Sequence, residues 1–169
     1  VIFLVAPTLV LMSVLAEPLF RFVFTEKWLP AVPYFQIICI CGILYPIHSY
    51  NLQILYVKGR TDLFFKLEVI KKVLLVIVLV ISFKYGIYGL LYGNVIHSVL
   101  CFFINTHYSG KFINYTAWQQ IKGLIPILFV SGGIGGLVYF FDIYCMKDFL
   151  GDFWRLLWGS VVGLVLYLL

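Results

Sequence analysis

Residues 73–81 read Val73-Leu74-Leu75-Val76-Ile77-Val78-Leu79-Val80-Ile81, nine apolar side chains with no polar position to mark a face. A strand of a transmembrane barrel alternates apolar and polar residues over about 10 positions, and the helix of a soluble protein carries one apolar stripe. A segment apolar on every side fits neither, and reads as a helix enclosed by hydrocarbon or by other helices. Working outward, this run belongs to a stretch over residues 63–83. Five more of the same character cover residues 1–24, 31–57, 87–108, 124–141 and 153–169. Each approaches the roughly 20 residues that a helix needs to cross a bilayer. The 169-residue chain is 63% hydrophobic and 11% charged, with a mean hydropathy of +1.06, whereas a soluble domain is about half apolar and a quarter charged. The expected fold is all-α, a polytopic membrane protein of about six transmembrane helices in a single bundle over residues 1–169.

The chain opens at Val1 inside one apolar run and stops at Leu169 inside another, the expectation for a piece of a longer protein. Connections between runs are roughly a dozen residues or fewer, too short for an extramembrane domain with soluble chemistry. No GxSxG, HExxH or Walker-type pattern appears, so no catalytic residue is nominated and no enzyme is expected. The cysteines Cys39, Cys41, Cys101 and Cys145 form no CxxC pair. Cys39 and Cys41 point about 200° apart on a helix, so they read as apolar fillers, and neither metal nor cofactor is expected.

The net charge of +5 is spread over both ends of the helices, which is no nucleic-acid signature. Arg21, Lys27, Lys84, Lys147 and Arg155 lie in one set of connections. Lys58, Arg60, Lys66, Lys71, Lys72, Lys111 and Lys122 lie in the other. The heavier second set marks the cytoplasmic face by the positive-inside rule. A very tight turn is expected at Lys84-Tyr85-Gly86, making its two helices antiparallel neighbours. Glycine pairs at spacing four, Gly89/Gly93, Gly132/Gly136 and Gly159/Gly163, predict close helix approach. Pro7, Pro18, Pro46 and Pro126 lie inside or near spans, where each frees a carbonyl and can kink the helix; Pro46 and Pro126, inside continuous runs, are the favoured bends.

Polar side chains inside the spans are the candidate functional groups. Asn94, His97, Ser98, Cys101, Asn105 and Tyr108 recur at steps of three and four within an arc of about 100°. Such a stripe avoids lipid; it either packs against neighbouring helices or lines a water-filled passage. Tyr45, His48, Ser49 and Asn51 cluster around Pro46, where a kink beside polar groups suits a transport cavity; alternatively His48 and Asn51 hydrogen-bond the carbonyl that proline frees or a neighbouring helix. Glu68 stands three and four residues before Lys71 and Lys72, spaced to pair with either; Glu17 and Arg21 repeat that spacing.

The order of these pieces includes the loop Phe24-Thr25-Glu26-Lys27-Trp28-Leu29-Pro30, the segment Gly59-Arg60-Thr61-Asp62, the run Leu67-Glu68-Val69-Ile70-Lys71-Lys72, the turn Tyr85-Gly86-Ile87-Tyr88-Gly89-Leu90, and Ile104-Asn105-Thr106. In that combination the chain resembles the C-terminal part of a Wzx-like polysaccharide-unit flippase of the O-antigen and exopolysaccharide type, within the multidrug/oligosaccharidyl-lipid/polysaccharide exporter superfamily. The resemblance covers about the first 110 residues. It departs at Thr25, where relatives often carry glycine. It implies that the helices form most of the second bundle of a MATE-like fold, completed by an N-terminal bundle of the same protein. It also implies an undecaprenyl-pyrophosphate-linked oligosaccharide as substrate, flipped across the bacterial inner membrane by alternating access. Membrane lipids and glycan polymerase machinery are the further partners implied. On that reading Arg60, Lys71 and Lys72 attract the pyrophosphate, Glu68 senses an ion or proton, the Asn94 to Asn105 stripe with His97 and Ser98 meets sugar hydroxyls, and His48 and Asn51 are further substrate or lumen candidates. The rival readings are a cation-coupled multidrug or metabolite antiporter of the same superfamily, a membrane-embedded glycan polymerase or ligase, and a purely structural membrane subunit.

Overall fold

The computed structural model describes residues 1–146 and 151–168; Lys147, counted above among the loop charges, and Leu169 lie outside the described residues. The described helices are α1 (Ile2–Val14), α2 (Ala16–Phe24), α3 (Val32–Val57), α4 (Thr61–Phe83), α5 (Gly86–Ile113), α6 (Ala117–Phe141) and α7 (Asp152–Leu168). A 3-10 segment, Glu26–Ala31, leads into α3, and a π-helical turn, Asp142–Met146, extends α6. Among the described residues there is no strand.

Among the described residues three stretches are long and apolar enough to cross a membrane: Glu26–Val57, Gly86–Ile113 and Ala117–Tyr144. The bent pair α1–α2 makes a fourth if it is one span. Two of the six expected spans fall short of this standard. Lys66, Glu68, Lys71 and Lys72 crowd the first half of α4, and α7 has 17 described residues.

The sharp break lies at neither of the two favoured prolines. α3 and α6 run on through Pro46 and Pro126, whereas α1 and α2 diverge by 71° at Leu15, with φ −87° and ψ 16°. Pro18 accounts for the position. A proline ring collides with the helical carbonyl four residues earlier, here that of Val14, where α1 ends. Pro18 itself falls in the first turn of α2, where a missing N–H sacrifices no helical bond.

The chain divides into two compact units, one of Val1–Ile40 with Ile125–Leu169, the other of Cys41–Leu124, so α3 and α6 each contribute to both. In the first unit, Leu15, Ile134 and Val138 are buried against Leu11, Val14, Leu156, Val162 and Tyr167. The α7 backbone comes close enough to α1 that a Cβ on Gly159 would stand 2.8 Å from Leu15 Cδ2, and one on Gly163 2.8 Å from Leu11 Cδ1. The expectation for Gly132 and Gly136 fails, because a Cβ on either would meet nothing within 4 Å; the close approach to Val10 is at Gly135. Residues 131–136 read SGGIGG, so two adjacent faces carry small residues at spacing four, and the buried one is Ser131/Gly135.

The same unit contains a buried ion pair that links the end of α6 to α7. Arg155, 3% exposed, donates from Nε to Asp142 Oδ1 (2.9 Å) and from Nη2 to Asp142 Oδ2 (2.6 Å). Its Nη1 reaches Asp152 Oδ1 at 3.2 Å. Glu17 and Arg21 pair as their spacing predicts, at 3.1 Å.

In the second unit α4 and α5 are antiparallel neighbours, joined by Lys84 and Tyr85 with Gly86 at φ +68°. A side chain on Gly93 would strike Ser82 and stand 3.0 Å from Val78 Cγ1, so this glycine sets the α4–α5 separation.

Candidate functional site

The polar stripe of α5 turns toward α3. His48 Nε2 lies 3.1 Å from Ser98 Oγ, and His48 Nδ1 lies 3.5 Å from Asn105 Nδ2. Asn105 is fully buried. One turn further along α3, Asn51 is 1% exposed. Its Nδ2 donates to Thr106 Oγ1 (3.2 Å) and to Gln120 Oε1 on α6 (3.0 Å). Its Oδ1 accepts from Ser109 Oγ (2.8 Å) and Gln120 Nε2 (3.2 Å). A primary amide offers two N–H donors and two lone pairs, and all four are used here. Asn51 and Gln120 thus form a reciprocal amide pair, with two α5 hydroxyls completing the set.

Ser98, Cys101 and Asn105 of the stripe are half-buried or buried, and Ser98 and Asn105 meet His48 on α3. His48 and Asn51 bond to neighbouring helices and not to the carbonyl that Pro46 frees. Thr106, Ser109 and Gln120 were not anticipated. Ser109, four positions and about 40° beyond Asn105, extends its arc, a signal available in the periodicity; Thr106, one position on, lies about 100° round and outside it. Gln120 is 69 positions from Asn51, beyond the reach of any helical spacing.

The remaining nominated residues meet α4, the Cys41 end of this part of α3, or lie at helix ends. His97 Nε2 sits 3.0 Å from the Lys71 carbonyl, and Cys101 Sγ is 3.4 Å from the same ring nitrogen. Asn94, exposed, reaches Cys41 Sγ at 3.8 Å. Lys71 pairs with Glu68, while Lys72, one position on and about 100° round the helix, is exposed. Arg60 is turned onto Asp62 by two hydrogen bonds of 3.1 and 3.2 Å and lies over the Phe112 ring at 5.6 Å. The structure therefore does not gather Arg60, Lys71 and Lys72 as three free cations; it leaves Lys72 free and engages the other two. Cys39, Cys41 and Cys101 are free thiols, and among the described residues no three His, Cys, Asp or Glu side chains converge to hold a metal.

With His48, Asn51 and Leu55 turned inward, α3 presents a different arc outward. Tyr45 is 72% exposed, Tyr56 67%, Gln53 is exposed and Ser49 half-buried. At 100° per residue these four fall within about 80°. Gly42 shares that arc, and Pro46, lacking an N–H, leaves the Gly42 carbonyl without its helical donor. Two phenols, an amide, a hydroxyl and a backbone acceptor thus lie along one face of a helix long and apolar enough to span.

No family model matches the sequence, and no solved structure matches it. Among curated proteins the chain is similar to the lipopolysaccharide biosynthesis protein WzxC of Escherichia coli (strain K12), 28% identical over 138 residues, which cover 76% of this chain and 28% of that protein. The chain thus spans less than a third of the length of the curated relative it matches.

Proposed function

We propose that this chain is part of a flippase that carries an undecaprenyl-pyrophosphate-linked oligosaccharide repeat across the bacterial inner membrane, for O-antigen, exopolysaccharide or capsule assembly. The observation that carries the reading is the similarity to a lipopolysaccharide biosynthesis protein over most of this chain, joined to an all-helical architecture with apolar spans. Translocation proceeds by alternating access without ATP hydrolysis, and a further bundle of the same protein supplies the opposing wall of the pathway.

On this proposal the chain crosses the membrane six times, through α1–α2, α3, α4, α5, α6 and α7. An unpaired charge at the centre of a span costs about 2.5 to 3.5 kcal/mol on insertion scales. In α4 that penalty is reduced in two ways. Glu68 is neutralised by Lys71, and Lys66 and Lys72 are exposed within the first twelve residues of the helix, where long lysine stems reach the headgroups.

Lys72 meets the pyrophosphate first; Arg60 and Lys71 join by exchanging Asp62 and Glu68 for phosphate oxygens. The outer arc of α3 faces the sugars. Ser49, Gln53 and the freed Gly42 carbonyl suit hydroxyl-rich ligands and not hydrocarbon, where unsatisfied polar groups cost several kcal/mol each. Tyr45 and Tyr56, 11 residues and about 16 Å apart along the axis, supply ring faces for the sugars.

The test is deletion of the gene in its own host, followed by analysis of surface glycan and of lipid-linked intermediates. Loss of polymer with build-up of the carrier-linked repeat, reversed by the wild-type gene, is the expected result. Normal glycan with altered drug tolerance would replace the flippase reading by the antiporter one. In the rescued strain, Lys71→Ala with Lys72→Ala lowers export; unchanged export refutes the pyrophosphate role.

A further inference from the structure

The last three turns of α5 and the start of α6 enclose a groove of about 720 Å³. Its lining changes character along its length. Phe103 and Ile104 form one end, Tyr108 the middle, and Lys111, Asn114 and Thr116 the other end. From Phe103 to Asn114 is 11 residues, about 16 Å at the helical rise. Hydrocarbon thus gives way to ammonium, amide and hydroxyl toward the end of the helix, the same gradient in which a phospholipid passes from acyl chain to headgroup.

Charge in the groove has one sign. No carboxylate lines it, and the Lys111 ammonium is held 5.9 Å over the Tyr108 ring, the face that favours a cation. Two amides at the start of α6 are already taken. Thr116 N donates to Gln119 Oε1 (2.8 Å) and Gln119 N to Thr116 Oγ1 (3.4 Å), a reciprocal cap that occupies both. Two further cations beside the same turn lie over aromatic rings, Arg60 over Phe112 at 5.6 Å and Lys122 over Trp118 at 5.8 Å. Aromatic rings and snorkelling cations together are what a membrane–water boundary selects.

We propose that this groove binds an anionic phospholipid, with an acyl chain along Phe103 and Ile104 and its phosphate at Lys111. A phosphodiester carries one negative charge, which the single lysine of the lining matches. The pyrophosphate of a polyprenyl carrier carries more and calls for more than one cation. The site is distinct from the α3 arc and does not depend on the flippase reading.

Native mass spectrometry of the full-length protein in detergent tests it, with dioleoyl phosphatidylglycerol, dioleoyl phosphatidylcholine and undecaprenyl pyrophosphate offered in turn. The expected result is retention of phosphatidylglycerol over phosphatidylcholine, reduced about fivefold by Lys111→Gln, as for one lysine at a headgroup. Lys111→Arg keeps the preference, and Lys84→Gln, an exposed lysine at the opposite end of α5, leaves it unchanged. Equal retention of the two phospholipids, or a preference indifferent to Lys111→Gln, overturns the proposal. A Lys111-dependent preference for undecaprenyl pyrophosphate over phosphatidylglycerol overturns it too, and reassigns the groove to the carrier lipid.

Discussion

Truncating Asn51 to alanine removes four hydrogen bonds at once, to Thr106, Ser109 and twice to Gln120. Hydrogen bonds between membrane helices average about 0.6 kcal/mol each, so Asn51→Ala is expected to destabilise the folded protein by about 2.4 kcal/mol. Two of the four bonds are shared with Gln120, which sets the expected coupling in a double-mutant cycle with Gln120→Ala at about 1.2 kcal/mol. The assay is reversible unfolding of the full-length protein in mixed micelles titrated with sodium dodecyl sulfate, followed by tryptophan fluorescence. Tyr45→Ala, on the outward arc of the same helix, is the control and is expected to stay within about 0.5 kcal/mol of wild type. Additive losses for Asn51→Ala and Gln120→Ala, with coupling under about 0.3 kcal/mol, would refute the reciprocal amide pair. So would a Tyr45→Ala loss as large as that of Asn51→Ala, since α3 would then be facing the other way.

Thr25 sits at φ 74° and ψ 167°, a region almost reserved for glycine that costs a β-branched residue about 1 to 3 kcal/mol. Against a backbone-entropy penalty of about 0.5 to 1 kcal/mol, Thr25→Gly is expected to stabilise by about 1 kcal/mol in the same titration; a loss would show that the loop does not hold this angle. Asp142→Ala strands Arg155, 3% exposed, and is expected to cost about 3 kcal/mol, the low end for a broken buried pair because Asp152 remains. Asp142→Leu with Arg155→Met recovers most of that loss, and equal damage from both variants would contradict the pairing. Tyr45→Ala with Gln53→Ala in the full-length protein is expected to cut glycan export severalfold at unchanged protein level, measured by surface-glycan gels; full export would remove the α3 arc from the transport pathway.

The parts of this fold that were legible in the sequence are those whose partners lie within one helical turn or one tight connection. The all-apolar run at residues 73–81 shows its helix because no face is polar. Glu17–Arg21 and Glu68–Lys71 follow from spacing alone, and the α4–α5 turn from Gly86. What periodicity leaves open is which neighbour a face meets. The α5 stripe was visible as an arc, yet its contacts on α3 fell on His48 and Asn51, turning Tyr45, Gln53 and Tyr56 outward. Gln120 and the Asp142–Arg155 pair join residues separated by 69 and 13 positions, and no local pattern links them. The bend followed a proline near a helix start, where the ring blocks the preceding helix, and not the prolines inside the longest runs. Among the small residues 131–136, two faces were equivalent by composition, and packing against Val10 chose the one through Gly135.

Leaflet movement of the substrate is the most direct test of the central claim. The full-length protein is reconstituted into vesicles with a fluorescent undecaprenyl-pyrophosphate-linked oligosaccharide, and the share of glycan reached by an external glycosidase is followed over time. The account predicts that glycan initially protected inside becomes accessible when the wild-type protein is present, and more slowly with Lys72→Ala. Glycan that remains as protected as in protein-free vesicles, in a preparation folded by its denaturant titration and supplied with an ion gradient of either sign, would contradict it.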